Sequence, residues 1–121
     1  MASGQVERGV KLLRQAEDQA RSMSFEFGRA LALAQLAEAL LTAGEILEPR
    51  DKATDAIKIA RDAGERGNEG WATCMLGEVA YKSGQREDAE ARYRQALEIA
   101  EALEMAPLQA RCIDGLRRCT N

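Results

Sequence analysis

The 121 residues contain no histidine, which removes the commonest general base and the commonest metal ligand. No Gly-x-Gly-x-x-Gly, Gly-x4-Gly-Lys-Ser/Thr or His-Glu-x-x-His motif is present, so no dinucleotide, nucleotide or metalloprotease site is expected. Cysteine is scarce and odd in number, at Cys74, Cys112 and Cys119 without a Cys-x-x-Cys spacing. That argues against a disulfide framework or a zinc site and for buried thiols in a cytoplasmic protein. Apolar runs fall well short of the ~20 residues that span a bilayer, and Met1-Ala2-Ser3-Gly4 opens no signal-like core. Charge of a single sign is missing too: the net charge is -3, with both signs interspersed. Nucleic acid and anionic membrane are therefore not expected as partners, since each calls for a basic stripe.

Aromatics make up only 4% of the chain, as Phe25, Phe27, Trp71, Tyr81 and Tyr93. A core must then come from alanine and leucine, which favours closely packed helices. Shifting the sequence by forty residues superimposes Ala16, Ala56 and Ala96, then Ala20, Ala60 and Ala100, then Leu36, Leu76 and Leu116. Gly44 meets Gly84, and Glu38 meets Glu78, in the same register. One unit has been copied, and copied units bury their apolar faces against one another.

Apolar residues at three- and four-residue steps predict six helices, at about 6–23, 28–43, 49–63, 69–83, 87–105 and 107–119. Ser24–Phe27 is read as a connection; Gly44 and Gly84 stop the second and fourth helices. Pro49 and Pro107 open the third and sixth, while Gly64, Gly67 and Gly70 punctuate the return between the third and fourth. Short connections make neighbours antiparallel, so the expected fold is all-α: a right-handed α-solenoid of stacked antiparallel helix pairs forming one domain over 1–121.

Leu76 to Ala100 reads L-G-x3-Y-x2-G-x4-A-x3-Y-x2-A-L-x2-A. This resembles the tetratricopeptide repeat, in which Leu76, Gly77, Ala89, Tyr93 and Ala96 are packing residues. The forty-residue period resembles the long variant of that repeat. The stretches Trp71–Ala80, Ala89–Leu97 and Glu104–Cys112 are similar to the C-terminal arrays of bacterial proteins that join a nucleotide cyclase to an ATPase module. The resemblance implies a binding function in signalling and supplies no catalytic residue.

A second stripe on the even-numbered helices is left for function. Trp71, Cys74, Glu78 and Tyr81 recur at i, i+3, i+7 and i+10, with counterparts Leu31, Ala34, Glu38 and Leu41 in the second helix and Arg111, Asp114 and Arg118 in the sixth. In the resembled family this stripe lines the concave groove, so these residues are the expected contacts for a protein or peptide. Trp71, Tyr81 and Arg111 are the leading candidates, since aromatics and arginine anchor interfaces. Glu78 has Lys82 as a possible ion-pair partner one turn on. No cofactor, metal or catalytic group is expected. The alternative is a regulatory domain that senses a small ligand or peptide.

No polar caps are evident at the ends of the array. Leu108, Cys112 and Leu116 of the sixth helix have no following helix to cover them. A homodimer through a terminal helix is therefore expected.

Overall fold

The computed structural model describes residues 4–22 and 29–120. Six helices follow in order: α1 (Gly4–Ser22), α2 (Arg29–Thr42), α3 (Leu47–Ala63), α4 (Arg66–Lys82), α5 (Arg86–Ala102) and α6 (Ala106–Thr120). The connection expected at Ser24–Phe27 lies outside the described residues.

Four joints share one geometry. Gly44, Gly64, Gly84 and Glu104 all adopt positive φ, at 94°, 73°, 79° and 53°. After each, the next residue donates its N–H to the carbonyl five residues back: Glu45 to Leu40, Glu65 to Ala60, Gln85 to Ala80 and Met105 to Ala100. Each positive-φ residue also donates to the carbonyl three back. This pair of bonds is the Schellman stop, which satisfies carbonyls a helix end would otherwise leave bare. The forty-residue period thus divides into two halves of about twenty, and a side chain occupies the left-handed position only at Glu104.

Several boundaries differ from those read off the sequence by one to three residues, among them the end of α5, at Ala102 in place of about 105. α3 starts two residues ahead of Pro49, which still lies in the first turn, where its missing N–H goes unneeded. α6 likewise starts one residue ahead of Pro107. α4 begins at Arg66, so Gly67 and Gly70 lie inside a helix, and only Gly64 punctuates the return. Their purpose is close approach: a Cβ on Gly70 would sit 2.9 Å from Leu108 Cδ2, and one on Gly67 3.3 Å from Met105 Sδ.

Each helix packs on its neighbour in sequence, and in addition α2 packs on α4 and α4 on α6. α1, α3 and α5 show no such approach of backbone to backbone among the described residues. An inner row in mutual contact beside an outer row that is splayed apart curves the array toward the inner row. Small side chains make this possible: Ala34, Ala37, Ala72 and Cys74 are all buried on the inner helices. Equivalent positions share environments, with Ala53, Ala56 and Ala60 as fully buried on α3 as Tyr93, Ala96 and Ala100 on α5. The chain is an all-α solenoid of stacked helix pairs.

Tyr93 fills the largest slot in the interior. Its ring lies 3.2 Å from the Cβ position of Gly77 on one side and would overlap any side chain placed on Gly115. Two glycines from α4 and α6 therefore close over one aromatic of α5.

The apolar face of α6 is not bare, contrary to expectation. Leu108 and Cys112 are fully buried and Leu116 is half-buried against the core. They pack inward onto α4 and α5, so an uncovered stripe no longer argues for a dimer through α6. The outward face of α6 is mixed: Ile113, in the register of buried Leu33 and Thr73, is 40% exposed beside charged residues. Asp114 stands in the register of Ala34 and Cys74, and Arg117 in that of Ala37 and Gly77; their side chains are 68% and 75% exposed, with 3.8 Å between Arg117 Nη1 and Asp114 Oδ1. A charged pair stands there where the other two inner helices have small buried residues.

Candidate functional site

Helix register decides which side chains reach the inner face. Leu31, Trp71 and Arg111 occupy one repeat position on α2, α4 and α6, and they line a single cavity of about 310 Å³ with Ala34, Gln35, Glu38 and Met75. Its lining is mostly apolar, and its polar groups come from Gln35, Glu38 and Arg111. One side chain from every inner helix contributes, so the cavity belongs to the stack and not to any one hairpin.

Arg111 ties the three helices together. Its Nε donates to Glu78 Oε2 at 3.2 Å, while Nη2 donates to Glu78 Oε1 at 3.2 Å and to Glu38 Oε2 at 2.6 Å. α2 and α6 do not pack against each other, so this guanidinium bridges helices two places apart in the array. Burial alone would lower the Arg111 pKa. The carboxylates of Glu78 and Glu38 more than reverse that, so Arg111 stays charged at any accessible pH. Nη1 has no partner among the described residues.

Arg118, two turns along α6, builds a second polar cluster. It donates to the Tyr93 hydroxyl at 3.1 Å, lies 3.6 Å from Glu78 Oε2 and sits 5.4 Å from the centroid of the Tyr81 ring. That ring distance is within cation–π range. Burial pushes the Tyr93 phenol well above its ordinary range, against the opposing pull of Arg118. It is a neutral hydrogen-bonding group.

The expected stripe divides in two. Leu31, Glu38, Trp71 and Arg111 come together at the cavity, and Glu78, Tyr81 and Arg118 form the adjoining cluster. Cys74 is fully buried and Leu41 is 4% exposed, so neither is on the accessible face: both fill contacts between helices. A hydrogen bond with Cys112, together with burial, holds the Cys74 thiol protonated far above the ordinary thiol range. Asp114, in the register of Ala34 and Cys74, is exposed beside Arg117 and does not line the cavity. Glu78 takes Arg111 and Arg118 as partners, whereas Lys82 is exposed one turn away.

Sequence reasoning missed Gln35 and Met75 as lining residues and the link between Glu38 and Arg111. Repeat arithmetic carries part of that signal, because Glu38, Glu78 and Arg118 share one position and Leu31, Trp71 and Arg111 another. It does not give the pitch that brings residues 73 positions apart within bonding distance. Among the described residues no group of three His, Cys, Asp or Glu side chains converges on a possible metal. No helix among them is long and apolar enough to cross a membrane.

Stacked hairpins whose inner helices line an open groove define the class of helical-repeat proteins. Residues 28–102 match the tetratricopeptide repeat family. The match covers more than half of the chain, which therefore belongs to that family. Repeats of this family commonly mediate contacts between proteins, and as a rule they are non-catalytic. No curated protein matches the chain.

Proposed function

We propose that this chain is a non-catalytic interaction module whose inner groove holds a segment of a partner protein, serving a cytoplasmic signalling assembly. The cavity lined by Leu31, Trp71 and Arg111 carries the reading. It combines an aromatic and an aliphatic wall with hydrogen-bonding side chains, the composition of interface anchor sites. Trp71, Leu31, Glu38 and Arg111 are the contact residues, and Glu78, Tyr81 and Arg118 extend the surface along the groove. With about 310 Å³ open to solvent, the cavity suits one large side chain of a polypeptide better than an engulfed metabolite.

A photo-crosslinking amino acid tests the assignment when placed at Gln35 in the groove and, separately, at Lys58 on the outer helix α3. Covalent polypeptide adducts in cells should form from position 35 and not from position 58. Adducts of equal yield from both positions, or from neither, would overturn it.

A further inference from the structure

We infer that the segment held in this groove presents an apolar side chain next to a basic residue, a deepening that rests on the groove reading above. Glu38 and Arg111 are the charged residues that line the cavity. Arg111 also pairs with Glu78, which in turn pairs with Arg118, so the four charges balance as a chain whose end on the cavity is the carboxylate of Glu38. Arg118 shares Glu78 at 3.6 Å, but it does not line the cavity. Seven residues along α6 from Arg111, it lies roughly 10 Å away at the helical rise, committed to the Tyr93 hydroxyl and the Tyr81 ring.

That end of the chain is also the accessible one. Glu38 has its side chain 45% exposed, against 14% for Glu78, and Arg111 engages its Oε2 alone. Oε1 is left to accept from an incoming cation. The unpartnered Nη1 of Arg111 offers two N–H donors, which suit a main-chain carbonyl. A ligand carboxylate on the same atom would be the third around one guanidinium and would be repelled by the first two. An aliphatic or aromatic side chain packs against Leu31, Trp71 and Met75.

Trp71 is the sole tryptophan and a wall of the cavity, so its fluorescence reports occupancy directly. The probes are three acetylated, amidated nine-residue peptides, each with a central leucine, flanked by lysine, glutamine or glutamate. They are titrated against the full chain and against Glu38→Gln, which keeps an oxygen for Arg111 and removes the charge. Circular dichroism confirms that the variant is helical.

The lysine peptide should shift Trp71 emission at about two- to fivefold lower concentration than the glutamate peptide, the scale of one partly exposed ion pair. The gap should close in Glu38→Gln and shrink in 1 M salt, where the screening length is about 3 Å. Equal binding of all three peptides, a preference for glutamate, or a lysine preference that persists in Glu38→Gln would overturn the charge inference while leaving the groove reading intact. If no peptide moves Trp71, both fall.

Discussion

The two ends of the array are built on different principles. At α6 the outward face carries Asp114 and Arg117, and the inward face is sealed by Leu108, Cys112 and the Tyr93 ring under Gly115. At α1 the outward face is apolar: Leu12 is 64% exposed, and Ala16 is exposed where its counterparts Ala56 and Ala96 are fully buried. α1 packs on α2 alone. What fixes it further is charge: Arg14 donates to both oxygens of Glu48, at 2.6 and 2.9 Å, and Arg29 lies 3.5 Å from the buried carboxylate of Glu17. Stability in a repeat protein is a sum over units and their interfaces. The α6 end thus adds buried apolar side chains to its own ion pairs with Glu38 and Glu78, whereas α1 has ion pairs with little buried apolar surface among the described residues, and the two should respond to different perturbations.

The largest effect should come from Tyr93→Ala, which empties the slot that two glycines close upon. Loss of a buried aromatic costs about 3–5 kcal/mol, a large fraction of the roughly 5–15 kcal/mol that stabilises an ordinary domain. Hydrogen exchange should then show α6 opening as readily as α1. If α6 stays the better protected of the two, packing around Tyr93 is not what closes that end.

A smaller effect, confined to the other end, should follow acidification. The hydrogen bond from Arg14, aided by its charge, holds the Glu48 carboxyl below its ordinary pKa, against a weaker opposing effect of desolvation. A depressed folded-state pKa contributes stability above the unfolded value that is lost as pH falls through the folded value. Exchange in α1 should therefore accelerate below the ordinary carboxylate range while the Tyr93 region holds. The pair is partly exposed, so the effect is modest, and Arg14→Ala should abolish the difference between the ends in pH sensitivity.

The smallest change should sharpen the contrast. Glu104 holds a left-handed conformation that glycine holds at the three equivalent joints, and a side chain there costs roughly 1 kcal/mol. Glu104→Gly should raise the melting temperature by at most a few degrees, up to about 0.6 kcal/mol after glycine's extra flexibility in the unfolded chain is subtracted.

The fold was legible because copying leaves a register in the sequence. Ala56 and Ala96, or Gly44 and Gly84, announce equivalent places before any packing is known. Glycine inside a helix was less legible: Gly67 and Gly70 look like turn residues until Met105 and Leu108 are seen against them. The spacing of three from Gly64 was the available clue, since it sets 67 and 70 on one helical face. The candidate site was half legible. A helical stripe found Trp71, Glu38 and Arg111, but it also swept up Cys74 and Leu41, because the edge of the stripe where neighbouring helices touch has the same period as the open part. Asp114 continues the register of Cys74 but is exposed and outside the cavity lining. Contacts between copies depend on superhelical pitch, which no single helix encodes.

The recurring stop at Gly44, Gly64, Gly84 and Glu104 has a consequence for how such a chain can grow. A tandem duplication of residues 64–103 would splice Leu103 directly to a second Gly64, and that seam reproduces a joint already used between α3 and α4. Length is thereby decoupled from architecture. A gene built on this rhythm can gain or shed a whole hairpin in one recombination event without inventing a new bend.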